Sequence, residues 1–169
     1  MDRGANGISR DKLTTILIFL SLWISSTGHG EEMIGEIHPP MPAGYELNDL
    51  GVFPDEDPDS GLVHTLSHVS SPKGDFVWLN RRQDQPGQDS KWRIVGSMAV
   101  PPLTGDRVLV FLLCLIDGSH DPEVIAIVDY DADSQMLTSH AAWRADRRGQ
   151  RFTMISPRGV TCVNESHGL

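Results

Sequence analysis

The stretch Val108-Leu-Val-Phe-Leu-Leu-Cys-Leu-Ile116 is an unbroken apolar run, preceded by Thr104-Gly105-Asp106 and followed by Asp117-Gly118. Closed at both ends by turn residues, it is too short to cross a bilayer and suits a strand buried on both faces. A buried helix is the competing reading, because so short a run carries no periodicity that separates the two. The next segment, Pro122-Glu-Val-Ile-Ala-Ile-Val-Asp-Tyr130, repeats the pattern. The link over 117–121 is short enough that the two strands are expected to pair antiparallel and form the floor of the core.

Upstream of the run, Trp92–Val100 reads as a strand stopped by Pro101-Pro102, and Gln83–Ser90 as an exposed polar loop. Before that loop, strands are expected near Leu62–Val69 and over Asp75–Asn80, separated by the turn signal Ser71-Pro-Lys-Gly74. Downstream, two readings compete. Asp133 or Ser134 can cap a helix through Gln135, Met136, Leu137, His140 and Ala141 that stops at Gly149. The alternative is a hairpin: strand Ala142–Ala145, turn Asp146–Gly149 and return strand Gln150–Ile155. The preferred reading is a helical turn or two and then the hairpin, with a last strand over Val160–Val163. The expected fold is therefore α+β, dominated by an antiparallel sheet with a minor helix, in one domain over 60–169. An all-β sandwich or barrel is the alternative.

The chain has 169 residues, 39% hydrophobic and 7% aromatic, enough to bury a core. Its formal net charge of −9 argues against a nucleic-acid partner, because binding phosphates requires a basic face. Residues 1–30 read as a signal peptide: Arg3, Arg10 and Lys12 precede an apolar stretch from Leu13 to Ile24, and small residues follow up to Gly30. A short uncleaved anchor is the competing reading. After cleavage no transmembrane span is expected, and the destination is periplasmic or secreted. Residues 31–59 hold nine acidic residues, no Lys or Arg, and Pro39, Pro40, Pro42, Pro54 and Pro58. They read as an extended acidic arm that folds back in places through Met33, Ile34, Tyr45, Leu47, Leu50, Val52 and Phe53.

Cys114 and Cys162 are the two cysteines. In an oxidising compartment they are expected to pair as a structural disulfide, and no Cys-x-x-Cys spacing suggests redox chemistry. Asp121-Pro122-Glu123, Ile125–Val128, Ala142–Asp146 and Cys162–Glu165 together resemble small exported bacterial proteins of uncharacterised function, over about the C-terminal half. That resemblance implies export and a compact domain, and no activity.

Candidate chemistry is sparse. Asp55, Asp57 and Asp59, like Asp129, Asp131 and Asp133, open as a calcium loop does but lack its Gly and closing Glu. His64 and His68 would lie about 13 Å apart in a strand, too far for joint metal ligation. Asp117, Asp121 and Glu123 are paired carboxylates that turn formation explains more simply. Asn164-Glu165-Ser166 matches a glycosylation acceptor. No nucleophile motif and no phosphate loop is present, so no catalytic residue, metal or cofactor is assigned. The concentrated positive cluster is Arg144, Arg147, Arg148 and Arg151, beside Trp143, on the expected hairpin. It suits carboxylate or phosphate groups of a partner, or the acidic arm. The expectation is a non-catalytic binding or inhibitory module for a protein or cell-envelope partner. The alternative is a small-ligand carrier or small enzyme with a pocket unreadable in sequence. The oligomeric state is unassigned.

Overall fold

The computed structural model describes residues 32–54, 63–83 and 91–167. The signal peptide expected over 1–30 and the Asp55-Asp57-Asp59 cluster lie outside them. Two antiparallel sheets make up the fold. The first has the order β1-β5-β4-β3-β2, formed by β1 (Ile37–His38), β2 (Glu46–Val52), β3 (His64–Ser71), β4 (Gly74–Gln83) and β5 (Lys91–Ala99). The second runs β6-β9-β10-β12-β7-β8, with β11 on the far half of β10. Its strands are β6 (Arg107–Phe111), β7 (Cys114–Ile116), β8 (Ser119–His120), β9 (Val124–Asp129), β10 (Met136–Asp146), β11 (Arg151–Ile155) and β12 (Val160–Val163).

The α+β expectation gives way to the all-β alternative: among the described residues helix is confined to one short turn at Glu32–Met33. The helix expected after Asp133 is the first half of β10. Its Met136, Leu137 and Thr138 pair with Val163, Cys162 and Thr161, and its second half pairs with β9 and β11. Leu137 is buried between exposed neighbours, a period of two that pairing with β12 imposes over local helix propensity. A bulge at His140, where β10 changes partner, helps curl the sheet into a half-barrel.

The run Val108–Ile116 is not one central strand. It breaks at Leu112, whose φ of 67° lies in the left-handed region, and gives β6 and β7. Val108 and Val110 face one apolar cluster with Val124, Ala126, Val128 and Leu137, whereas Leu109 and Phe111 face the layer between the sheets. Leu112 faces that layer too, so alternation fails there and resumes with Cys114. The kink carries the chain from one end of the curled sheet to the other, and Val163 N–H donates to the Leu113 carbonyl at 2.9 Å beside the break. The expected antiparallel partner holds: β9 pairs β6 with Val108 opposite Val128 and Phe111 opposite Ile125. The strand buried on both faces is β9 itself, Val124–Val128.

Between the sheets, Leu66, Val77, Leu79 and Val95 of the first meet Ile125, Ile127, Trp143 and Ala145 of the second. Residues expected in the acidic arm take part in this fold. Proline and acid exclude a stretch from central positions, and here it supplies β1 and β2, the two edges of the first sheet. Phe53, just beyond β2, is buried in the inter-sheet core. The outer face of β4 is covered by Met33, Met41 and Tyr45, with Tyr45 tilted over Trp78 at 5.0 Å between ring centres. Lys91 Nζ donates to the Pro39 carbonyl at 2.7 Å, Arg93 to that of Gly35 at 2.9 Å, and Lys73 pairs with Glu32.

Beneath this cover lies a polar set that is fully buried at Asn80. Its amide donates to Thr65 Oγ1 at 3.2 Å and Ser67 Oγ at 2.9 Å, and its oxygen faces His38 Nε2 at 3.2 Å. Because that oxygen only accepts, His38 carries its proton on Nε2. Asn80→Ala is expected to cost about 1–3 kcal/mol by leaving the His38 N–H and the Thr65 and Ser67 hydroxyl oxygens without this partner, read by urea denaturation.

Candidate functional site

The hairpin cluster forms as expected: β10 and β11 pair with Trp143 opposite Met154 and Asp146 opposite Arg151, and the turn between them holds Arg147 and Arg148. Three of its four charges are matched within the protein, those of Arg144, Arg147 and Arg151. Arg144 reaches Asp121 at 2.6 Å and Glu123 at 3.3 Å, and Arg147 donates to the other oxygen of Glu123 at 2.9 Å. Burial opposes the charge on Arg144, but the bonds to Asp121 and Glu123 outweigh it and hold the guanidinium above its ordinary value. Arg147 also lies over the Phe53 ring, 4.5 Å from its centre, and so ties the two sheets together. Trp143 is buried in the core, Arg148 is exposed at the tip, and Arg151 faces Asp146 at 3.4 Å. The paired carboxylates Asp121 and Glu123 thus serve as arginine partners.

Asp146 closes the turn by accepting from the Gly149 N–H at 2.8 Å. That bond, followed by the Arg151 guanidinium, holds its carboxyl below the usual value. The sign follows from a depressed folded value: the contribution is complete above the unfolded value of about 3.9 and is lost as pH falls through the folded one. A carboxyl NMR titration is expected to give Asp146 a midpoint below that of a free aspartate.

Cys114 and Cys162 form the expected disulfide, with an S–S distance of 2.09 Å, between directly opposed residues of β7 and β12. Asn164 is 6% exposed, and its amide nitrogen donates to the Asp131 and Ser134 carbonyls at 3.0 and 2.9 Å, so this glycosylation acceptor is committed to clamping a turn. Asp131 accepts from the Asp133 N–H within the same turn. His64 and His68 share β3 without converging. Among the described residues no group of three His, Cys, Asp or Glu stands ready to hold a metal, and no helix is long and apolar enough to cross a membrane.

A different region stands out. The edge strands β2 and β6, one from each sheet, approach each other at Gly51, where an added Cβ would collide with Leu112 and sit 2.9 Å from the Phe111 ring. Leu47, Leu50 and Val52 on β2 are 47%, 52% and 54% exposed, a row of aliphatic side chains with no cover. On the other face of β2 from this row, Asp49 lines a groove of about 240 Å³ that follows β6, with Val108, Val110, Leu137 and Val163 as its apolar lining and Glu165 as a second acid. No family model, curated protein or solved structure matches the chain. In sequence Leu47, Leu50 and Val52 read only as apolar spots of an acidic arm, and their irregular spacing, which a bulge between Leu47 and Asp49 accommodates, hides the strand and its outer row. The groove was not legible, because its walls are more than 100 positions apart, from Asp49 to Glu165.

Proposed function

We propose that the protein is an exported, non-catalytic binding or inhibitory module for another macromolecule of the cell envelope, periplasmic or secreted once residues 1–30 are removed. The observation that carries this reading is the pair of adjacent edge strands, β2 and β6, with the uncovered Leu47-Leu50-Val52 row. An apolar row at an unpaired sheet edge is a liability unless something covers it in use. The bridge Cys114–Cys162 and the apolar, positively flanked N-terminus support export.

The test is affinity capture from an envelope extract by the immobilised, oxidised protein at moderate salt. A stoichiometric macromolecular partner supports the reading. Failure to capture one at either low or moderate salt contradicts it, and screening for small ligands and substrates then takes its place.

A further inference from the structure

We propose that the groove along β6 binds an extended, basic amphipathic segment of a partner protein, which adds to the sheet as a strand. This rests on the binding-module reading and names its partner's chemistry. β6 ends the second sheet, so alternate residues of its five-residue edge direct backbone N–H and C=O groups away from β9. The opposite bank is the end of β12 and the turn after it. It is held by Val163 N–H on the Leu113 carbonyl, Asn164 on the Asp131 and Ser134 carbonyls, and Ser166 N–H on Asn164 Oδ1. These bonds fix the groove before anything binds, which limits the entropy lost on association.

A strand laid along β6 places every second side chain on the apolar floor of Val108, Val110, Leu137 and Val163. The rim fixes the charge of the rest. Asp49 and Glu165 are both exposed acids, and none of the described residues lining the groove is basic. The nearest cation at the start of β6, Arg107, is paired with Asp129 at 3.1 Å. A second copy of the chain is a poor occupant, because pairing β6 with β6 would bring two such acidic rims together.

The probe is a capped octapeptide of alternating Val and Lys, with two controls: the Val-Glu counterpart, and a Val-Lys peptide methylated at alternate backbone nitrogens. Amide NMR spectra of the oxidised protein are expected to shift at 107–111 and 163–166 with Val-Lys. The methylated and Val-Glu peptides are expected to leave them unchanged. Asp49→Lys with Glu165→Lys, both at the surface, is expected to weaken binding more than about tenfold. Shifts confined to other strands, equal binding of the methylated peptide, or shifts at β6 that grow with protein concentration alone would each overturn the proposal, the last pointing to a second copy. If an envelope partner is captured equally by the wild type and the charge-reversed variant, the groove assignment fails while the binding-module reading stands. If no partner is captured at all, that reading fails on its own test, and the peptide shifts decide the groove separately.

Discussion

Replacing Cys114 and Cys162 together by alanine, or reducing the bridge, is expected to lower the unfolding free energy by up to about 4 kcal/mol. The residues are 48 positions apart, so the cross-link removes a large loop-closure entropy from the unfolded chain. Both are fully buried in the half-barrel beside Val124, Leu137 and Val160, so the double alanine variant also loses packing there. For a domain of this size the change corresponds to a fall in Tm of up to about 15 °C. Calorimetry with and without reductant checks it. A shift of less than about 3 °C would mean that the pairing of β7 with β12 already supplies the constraint.

Phe53→Ala is expected to cost about 3–5 kcal/mol. Phe53 is 2% exposed, packs with residues of both sheets, and lies under the Arg147 guanidinium. Truncating it opens a cavity between the layers and removes a cation–π contact together. Urea denaturation, with Phe53→Leu as the volume-conserving control, is the measurement. The consequence reaches beyond one residue. Deleting 31–59 would strip β1, β2, Phe53 and the cover over Trp78 in one step, so it removes part of the fold rather than a detachable arm. Recognition by this region is better tested with point substitutions.

Much of the strand pattern was legible because each strand carries its own signal. Asp75–Asn80, Trp92–Val100 and the hairpin around Asp146–Gly149 formed close to where alternation and turn residues placed them. Two features were not. The apolar run 108–116 fits one strand or two equally well, and only the left-handed backbone at Leu112 and the distant partners β9 and β12 decide that it divides. The segment 135–141 has helical spacing, but pairing with β9 across the preceding turn and with Val163, 27 positions from Met136, holds it as strand.

The candidate site follows the same division. The disulfide could be expected from two cysteines and an export signal. The arginine cluster was visible, but its carboxylate partners Asp121 and Glu123 are more than twenty positions away and become partners only when β9 and β10 pair. The groove along β6 is assembled from β2, β6, β10 and β12 and has no local signature.

Hydrogen–deuterium exchange of the protein with and without its captured envelope partner tests the central claim most directly. The account predicts new protection over 46–52 and 107–111, the two neighbouring edge strands β2 and β6, with the 144–151 hairpin unchanged. Protection confined to the hairpin, or none in any strand, would contradict it.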